Sequence, residues 1–409
     1  MTVLTGNGGA AGNGGAGVAG QRRRFELPAA GLEDLHRALV SAGYQVIGPR
    51  VTGDAITLGE LTSASELPFG WGVSLSPGGY RLRKRDDAAA FGHSAGPGSW
   101  KQFLHPPREQ LWSATRGTDG LAVGPGAVQE PRKLAFLGVR PCDLRAIQVL
   151  DRVLRGAAGR DCAYSRRRAA VFIIVVNCTE PGETCFCASM ATGPESGPGY
   201  DLLMTELTAG PDHSFVIEAG SPGGQEILTR LPVRPADPGV TERADTAVAG
   251  AADRMGRSMQ TDGLPGMLAA SRHAQRWEDV ASRCLTCGNC TMACPTCFCT
   301  TVEDVTDLSG EHAERWQNWS SCFELDFSYL HGGPVRSSGV SRYRQWLTHK
   351  LGTWHDQFGS SGCVGCGRCI VWCPVGIDLT EEVAALWAER NAAGGPTAGS
   401  EGPERGERG

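Results

Sequence analysis

The hydrophobic pattern divides the chain in two. In "LEDLHRALVSAG" the apolar positions Leu32, Leu35, Leu39 and Val40 fall on one helical face, Gly43 closes the helix, and "YQVIG" opens a strand. "KLAFLGV" and "AVFIIVVN" are short unbroken apolar runs, the pattern of strands buried on both faces. "DLRAIQVLDRVL" follows the first as an amphipathic helix, and "SFVIEAG" then "GGQEILTRL" repeats the order strand, helix. This alternation predicts an α/β N-terminal domain over 24–236. The stretch 237–266 mixes Asp, Ala, Gly and Arg and predicts a helical linker. From 267 to 390 strand-like runs vanish, and helices such as "RWEDVASR" and "LTEEVAALWAER" frame clustered cysteines. A mainly α, ferredoxin-like domain is expected there.

The ends read differently. Residues 1–23 form a Gly-rich head expected to be disordered, and 391–409 a solvated, charged tail. The head holds a formal G-x-G-x-x-G (Gly12, Gly14, Gly17), but no strand precedes it and no apolar helix follows, so it fails as a nucleotide fingerprint. A net charge of −5 gives no global basic field, which argues against a nucleic-acid binder. The basic runs Arg81–Arg85 and Arg166–Arg168 are expected to be solvated faces. Arg22, Arg23 and Arg24 lead into acidic residues where an export signal needs an apolar run. No segment approaches the roughly 18 apolar residues of a membrane span. The expectation is a cytoplasmic protein with no membrane span, where thiols stay reduced and 16 cysteines read as metal or cluster ligands rather than disulfides.

Those cysteines carry the strongest signal. Cys284-x2-Cys287-x2-Cys290-x3-Cys294-Pro295 is repeated as Cys363-x2-Cys366-x2-Cys369-x3-Cys373-Pro374. This is the bacterial-type [4Fe–4S] spacing, in which the fourth cysteine serves the neighbouring cluster. Two-residue gaps let a tight turn wrap three thiolates round one cubane, while the fourth lies a helical turn on and proline redirects the chain. The expected sets are therefore Cys284, Cys287, Cys290 and Cys373 for one cluster, and Cys363, Cys366, Cys369 and Cys294 for the other. Structural zinc is the competing reading, but zinc sites separate two Cys pairs by a finger or ribbon. Gly288, Gly365 and Gly367 permit close backbone approach. The long joint 295–362 carries Cys297, Cys299 and Cys322, read as structural or as part of a further site.

A second set lies in the α/β half. Cys142 and Cys178 each follow a strand at its carboxyl end, where open α/β sheets form their ligand crevice. Cys185 and Cys187 come a few residues later. The four suggest a third [4Fe–4S] cluster, with Asp143 as a reserve oxygen ligand; zinc, or buried thiols without metal, are the alternatives. Cys162 has no partner spacing. No catalytic constellation emerges from the nine scattered histidines, His349 included, and no P-loop is present.

"FLGVRPCDLRAI", "VNCTEPGETCFCASMATGPESGPGYDLLMTE", "CGNCTMACPTCFCTTVED", "RWQNWSSC" and "SRYRQWLTHK" with the second cysteine motif resemble the iron–sulfur beta subunit of cytosolic NADP-linked sulfhydrogenases, a dicluster family whose architecture is shared by the matching iron–sulfur subunit of anaerobic sulfite reductase. The resemblance covers 25–390 and is most specific over 284–377. It implies a non-catalytic subunit relaying electrons between a flavin-bearing, NAD(P)-binding gamma subunit and the small and large subunits of a soluble [NiFe] hydrogenase. The alternatives are the corresponding subunit of a sulfite reductase, or a redox-sensing iron–sulfur binding module.

Overall fold

The continuous apolar runs of the first half become the middle of an eight-stranded sheet. A computed structural model describes residues 23–94, 96–118, 120–125, 131–156, 161–208, 212–392 and 394. Residues 1–22 of the expected head and most of the expected tail lie outside them. In order across the sheet the strands are Arg234–Pro235, Phe25–Pro28, Ser214–Ala219, Leu202–Leu207, Val171–Val176, Leu134–Val139, Gln45–Thr52 and Ala55–Glu60. The four from Leu202–Leu207 to Gln45–Thr52 run parallel, with antiparallel strands on either side.

Helices cover both faces of this sheet, which is why the central strands show no polar alternation. On one face the helix Gly31–Ser41 seats Leu32, Leu35 and Leu39 with Phe215, Ile217 and Ile227. On the other, Pro141–Leu154 seats Leu144, Ile147 and Leu150 with Phe136, Ile173 and Val175. Each such side chain, fully buried, stabilises the fold by about 1.5–3 kcal/mol. Within the stretch expected to be a linker, the helix Pro238–Asp253 packs Val240 and Ala244 onto Leu207 and Val216. It covers the sheet rather than merely joining two domains.

The second half packs Trp277, Val280, Phe323, Tyr343, Trp346, Leu347, Leu351, Ile370 and Leu386 into its own core, into which the first half inserts Phe186. The expectation that strands vanish here is not met. Thr300–Thr306 and His312–Trp319, both in the joint between the cysteine motifs, form a four-stranded antiparallel sheet with Arg108–Gly117 and Gly120–Pro125. A second hairpin, Trp71–Ser76 with Gly79–Lys84, reaches the cysteine region directly: Gly78 N–H donates to the Ile370 carbonyl at 3.1 Å and Tyr80 stacks on Trp372. The halves are thus threaded through one another around the cysteines.

Candidate cluster-binding site

The first motif curls because two of its residues are left-handed. Cys284 ends the helix Arg276–Arg283. Thr286 follows with φ of 50°, and Gly288, at 76°, opens the short helix Asn289–Met292. The curl brings Cys284, Cys287 and Cys290 to one cavity, and Cys373 of the second motif lines it too. Most of the remaining wall is apolar or aromatic, with Phe323, Tyr343, Trp346, Ile377 and Leu379, and Asn289 adds one polar side chain. Amides aim at the sulfurs: Thr286 N–H donates to Cys284 Sγ at 3.4 Å and Ile377 N–H to Cys373 Sγ at 3.3 Å. The Tyr343 hydroxyl and Trp346 Nε1 are buried without a partner, and each such orphan costs about 1–3 kcal/mol. Thiols, aimed amides and orphan donors together suit an iron–sulfur cluster, whose sulfurs accept hydrogen bonds. Cys287 and Leu285 are exposed, so this cavity meets the surface.

The second motif repeats the curl with Gly365 and Gly367, at φ of 67° and 73°, ahead of the short helix Arg368–Val371. Cys294, from the first motif, lies within electrostatic reach of Cys363, Cys366 and Cys369. Gly365 N–H donates to Cys363 Sγ at 3.4 Å. Burial pushes the Cys363 and Cys366 thiols up to about 12, so any metal binding there must displace protons. Cys369 also lines the first cavity beside Cys290, so the two sets of four touch.

Beside Cys294 sits Lys350, buried in the wide helical turn His349–Thr353. Its ammonium donates to Cys294 Sγ at 3.3 Å, to Thr296 Oγ1 at 3.1 Å and to the Gly362 carbonyl at 3.3 Å. Burial alone would lower the Lys350 ammonium, but Cys294 and its neighbours overcome it and hold it well above the ordinary lysine value. The Cys297 hydrogen bond, and then Lys350, pull Cys294 well below the ordinary thiol value against the effect of burial.

The third set meets as the parallel register requires. Leu134–Val139 and Val171–Val176 are neighbours with Val139 opposite Val175, so their carboxyl ends deliver Cys142 and Cys178 side by side. A hydrogen bond with Cys187, and then burial, raises the Cys142 thiol well above its usual value. Burial raises Cys178 and Cys185, with Cys142 close to both. Cys185 Sγ lies 4.0 Å from the Cys366 carbonyl oxygen, so this set abuts the second one. Its loop is held from both halves. Arg85 binds Asp87 and Glu180, and Leu75 N–H donates to Glu183. Arg257 bonds the Cys185 carbonyl through its backbone and Asp378 through its side chain, and Thr192 donates to the Val364 carbonyl. The buried Thr184 and Ser94 hydroxyls and His93 Nδ1 have no partner. Ser94 Oγ lies where a Cβ on Gly182 would fall. The Thr184 hydroxyl, on the residue before Cys185, is an unspent donor of the kind the first cavity offers.

Several expectations change on contact with this geometry. Asp143 is not a spare ligand: its two oxygens accept from Arg368 at 2.7 and 3.1 Å in a buried pair. In the basic run Arg81–Arg85, the Arg85 side chain is buried rather than solvated. Cys297 bonds Cys294, and Cys322 lies near Cys290 and Cys299, so these thiols neighbour the first two sets. His349 hydrogen-bonds Gln357 and packs against Trp354. Among the described residues no three His, Cys, Asp or Glu side chains converge as a single metal ion demands; a cubane spreads its thiolates over separate corners. The sequence reading missed Lys350, although Leu347, Lys350, Leu351 and Trp354 follow helical i, i+3, i+4, i+7 spacing and place this lysine on an apolar stripe.

Comparison with known proteins bears on the two cysteine motifs and on the chain as a whole. The 4Fe-4S dicluster domain family matches residues 283–377. Sulfhydrogenase 2 subunit beta of Pyrococcus furiosus is 30% identical over 289 residues, covering 68% of this chain and 79% of the relative. No solved structure matches. Among the described residues no helix is long and apolar enough to cross a membrane.

Proposed function

The chain belongs to the family of sulfhydrogenase beta subunits and is an iron–sulfur electron-transfer subunit, and from that premise we propose that it relays electrons between a flavin- and NAD(P)-binding gamma subunit and the small and large subunits of a [NiFe] hydrogenase in the cytoplasm. A [4Fe–4S] cluster supplies one-electron uptake and release. Cys284, Cys287, Cys290 and Cys373 would hold the outer cluster, Cys363, Cys366, Cys369 and Cys294 the middle one, and Cys142, Cys178, Cys185 and Cys187 a third. The domain limits proposed with this reading are 24–236 and 267–390, the joint helix lying on the sheet of the first.

One observation carries the reading: the three cysteine sets are contiguous. Cys290 neighbours Cys369, and Cys366 neighbours Cys142 and Cys185, which makes a line from exposed Cys287 to the sheet. The protein's part is to hold the thiolates, aim amides at them and exclude water.

Anaerobic iron and acid-labile sulfide counts on wild type and on Cys185→Ala/Cys187→Ala test the sets. About twelve iron per chain falling to about eight supports three clusters; about eight in both removes the third. The partners are tested by purifying the tagged chain with whatever binds it. A nickel-containing large subunit supports the hydrogenase reading, whereas a sirohaem subunit transfers the chain to sulfite reduction. Cluster loss with altered partner affinity on oxidation supports a sensor.

A further inference from the structure

Two buried lysines face the second cysteine set and none faces the first. Lys350 and Lys101 are each 3% exposed. Lys350 spends its three donors on Cys294 Sγ, Thr296 Oγ1 and the Gly362 carbonyl. Lys101 donates to the Cys297 carbonyl at 3.0 Å and lies over the Trp319 ring. Among the described residues neither ammonium has a carboxylate partner; the groups of opposite charge nearest to both are cysteines of the segment 294–299, and to Lys350 also Cys363. A buried cation without a counter-charge is strongly unfavourable, so this slot is built for a neighbour that carries negative charge. The donors aimed at the sulfurs of the first cavity are neutral, being backbone amides, a phenol and an indole, and Arg342, the cation within electrostatic reach of Cys284, donates instead to the Phe323 carbonyl at 2.7 Å. Arg368, the other buried cation near the second set, is already neutralised by Asp143.

We propose that Lys350 sets the order of reduction along the chain: its ammonium, bonded to the Cys294 thiolate, makes the centre on Cys294, Cys363, Cys366 and Cys369 easier to reduce than the one on Cys284, Cys287, Cys290 and Cys373. This inference rests on the proposed ligand sets. Cluster potentials follow net charge and hydrogen bonds to sulfur, and a charge-assisted bond is roughly twice as strong as a neutral one. The reduction adds one electron to the iron of that centre, supplied by dithionite in a titration. It requires no bond to break and no proton to move, since Lys350 keeps its charge in both states.

The test is an anaerobic dithionite titration of the full chain followed by electron paramagnetic resonance, with iron counted in every sample. Cys287→Ser identifies the outer centre by altering its signal. In wild type the middle centre should reduce first. Lys350→Met should make it harder to reduce by at least tenfold in the reduced-to-oxidised ratio, about 59 mV for one electron, with the outer signal unchanged. Lys350→Arg, which keeps the charge, should recover most of that shift. If the outer centre reduces first in wild type, or Lys350→Met retains its iron and its midpoint, the inference is overturned. The wild-type order decides the matter even if the Met variant does not load. Failure of the ligand sets themselves is a separate result: Cys366→Ala would then lose no iron.

Discussion

The two cysteine motifs have the same spacing and nearly the same backbone, yet the pockets they make differ. The first opens at exposed Cys287 and Leu285 and is walled by Phe323, Tyr343, Trp346 and Ile377. The second is sealed: Cys294, Cys363 and Cys366 are buried, Lys350 is bonded to one of its sulfurs, and the loop of the first half lies against its glycines. A shared ligand pattern therefore fixes what binds, whereas the surroundings decide how exposed and how charged each centre is.

The largest test of that contrast is on the sealed side. Asp143→Ala strands Arg368 as a buried, unpaired cation and should cost about 3–5 kcal/mol, read as a lower denaturation midpoint with unchanged m-value. Breaking the exposed pair Arg315–Asp304, on the four-stranded sheet, should move the midpoint far less in the same assay, because solvent screens it. If both cost the same, burial is not what separates the two regions.

Glycine substitutions sharpen it next. Gly288→Ala and Gly367→Ala share a left-handed backbone, a strain of about 1–3 kcal/mol. A Cβ on Gly288 would meet the Ser321 side chain, with Oγ at 2.9 Å, which can shift; on Gly367 it would lie 2.4 Å from the Thr184 backbone oxygen, which cannot. The expected outcome is a loaded Gly288→Ala protein and a Gly367→Ala protein short of the iron of its middle centre. Equal iron in both would show that the interlock between halves does not hold that pocket.

The last test is a pH slope. His105, beside Lys101 and stacked on Trp319, is lowered to about 4, first by burial and then by Lys101. Its folded value lies below the unfolded value of about 6.5, so the unfolded chain binds the extra proton between those limits. Stability is full above about 6.5 and falls as pH drops towards 4. In His105→Phe that part of the slope should flatten in pH-dependent denaturation; a slope unchanged from wild type would remove His105 as its source.

Much of this was legible in the sequence because it depends on local rules. The cysteine spacing pointed to Cys373 beside Cys284, Cys287 and Cys290, which line one cavity, and the unbroken runs before Cys142 and Cys178 to strand ends that lie together. What stayed hidden depends on partners far along the chain. Thr300–Thr306 has six exposed residues of seven and carries no apolar alternation; it is a strand because His312–Trp319 pairs with it and with Arg108–Gly117. Asp143 looked available as a ligand because Arg368, 225 positions away, could not be seen to claim it. Lys350 drew no notice in the sequence although its position on an apolar stripe marked it.

The exchange of the fourth cysteines also bears on how the protein is made. On the proposed sets, the outer centre needs Cys373 and the middle one needs Cys369, so neither is complete until both motifs have been made. Cluster insertion then has to follow synthesis of the second motif, and of the joint whose strand His312–Trp319 pairs with Arg108–Gly117.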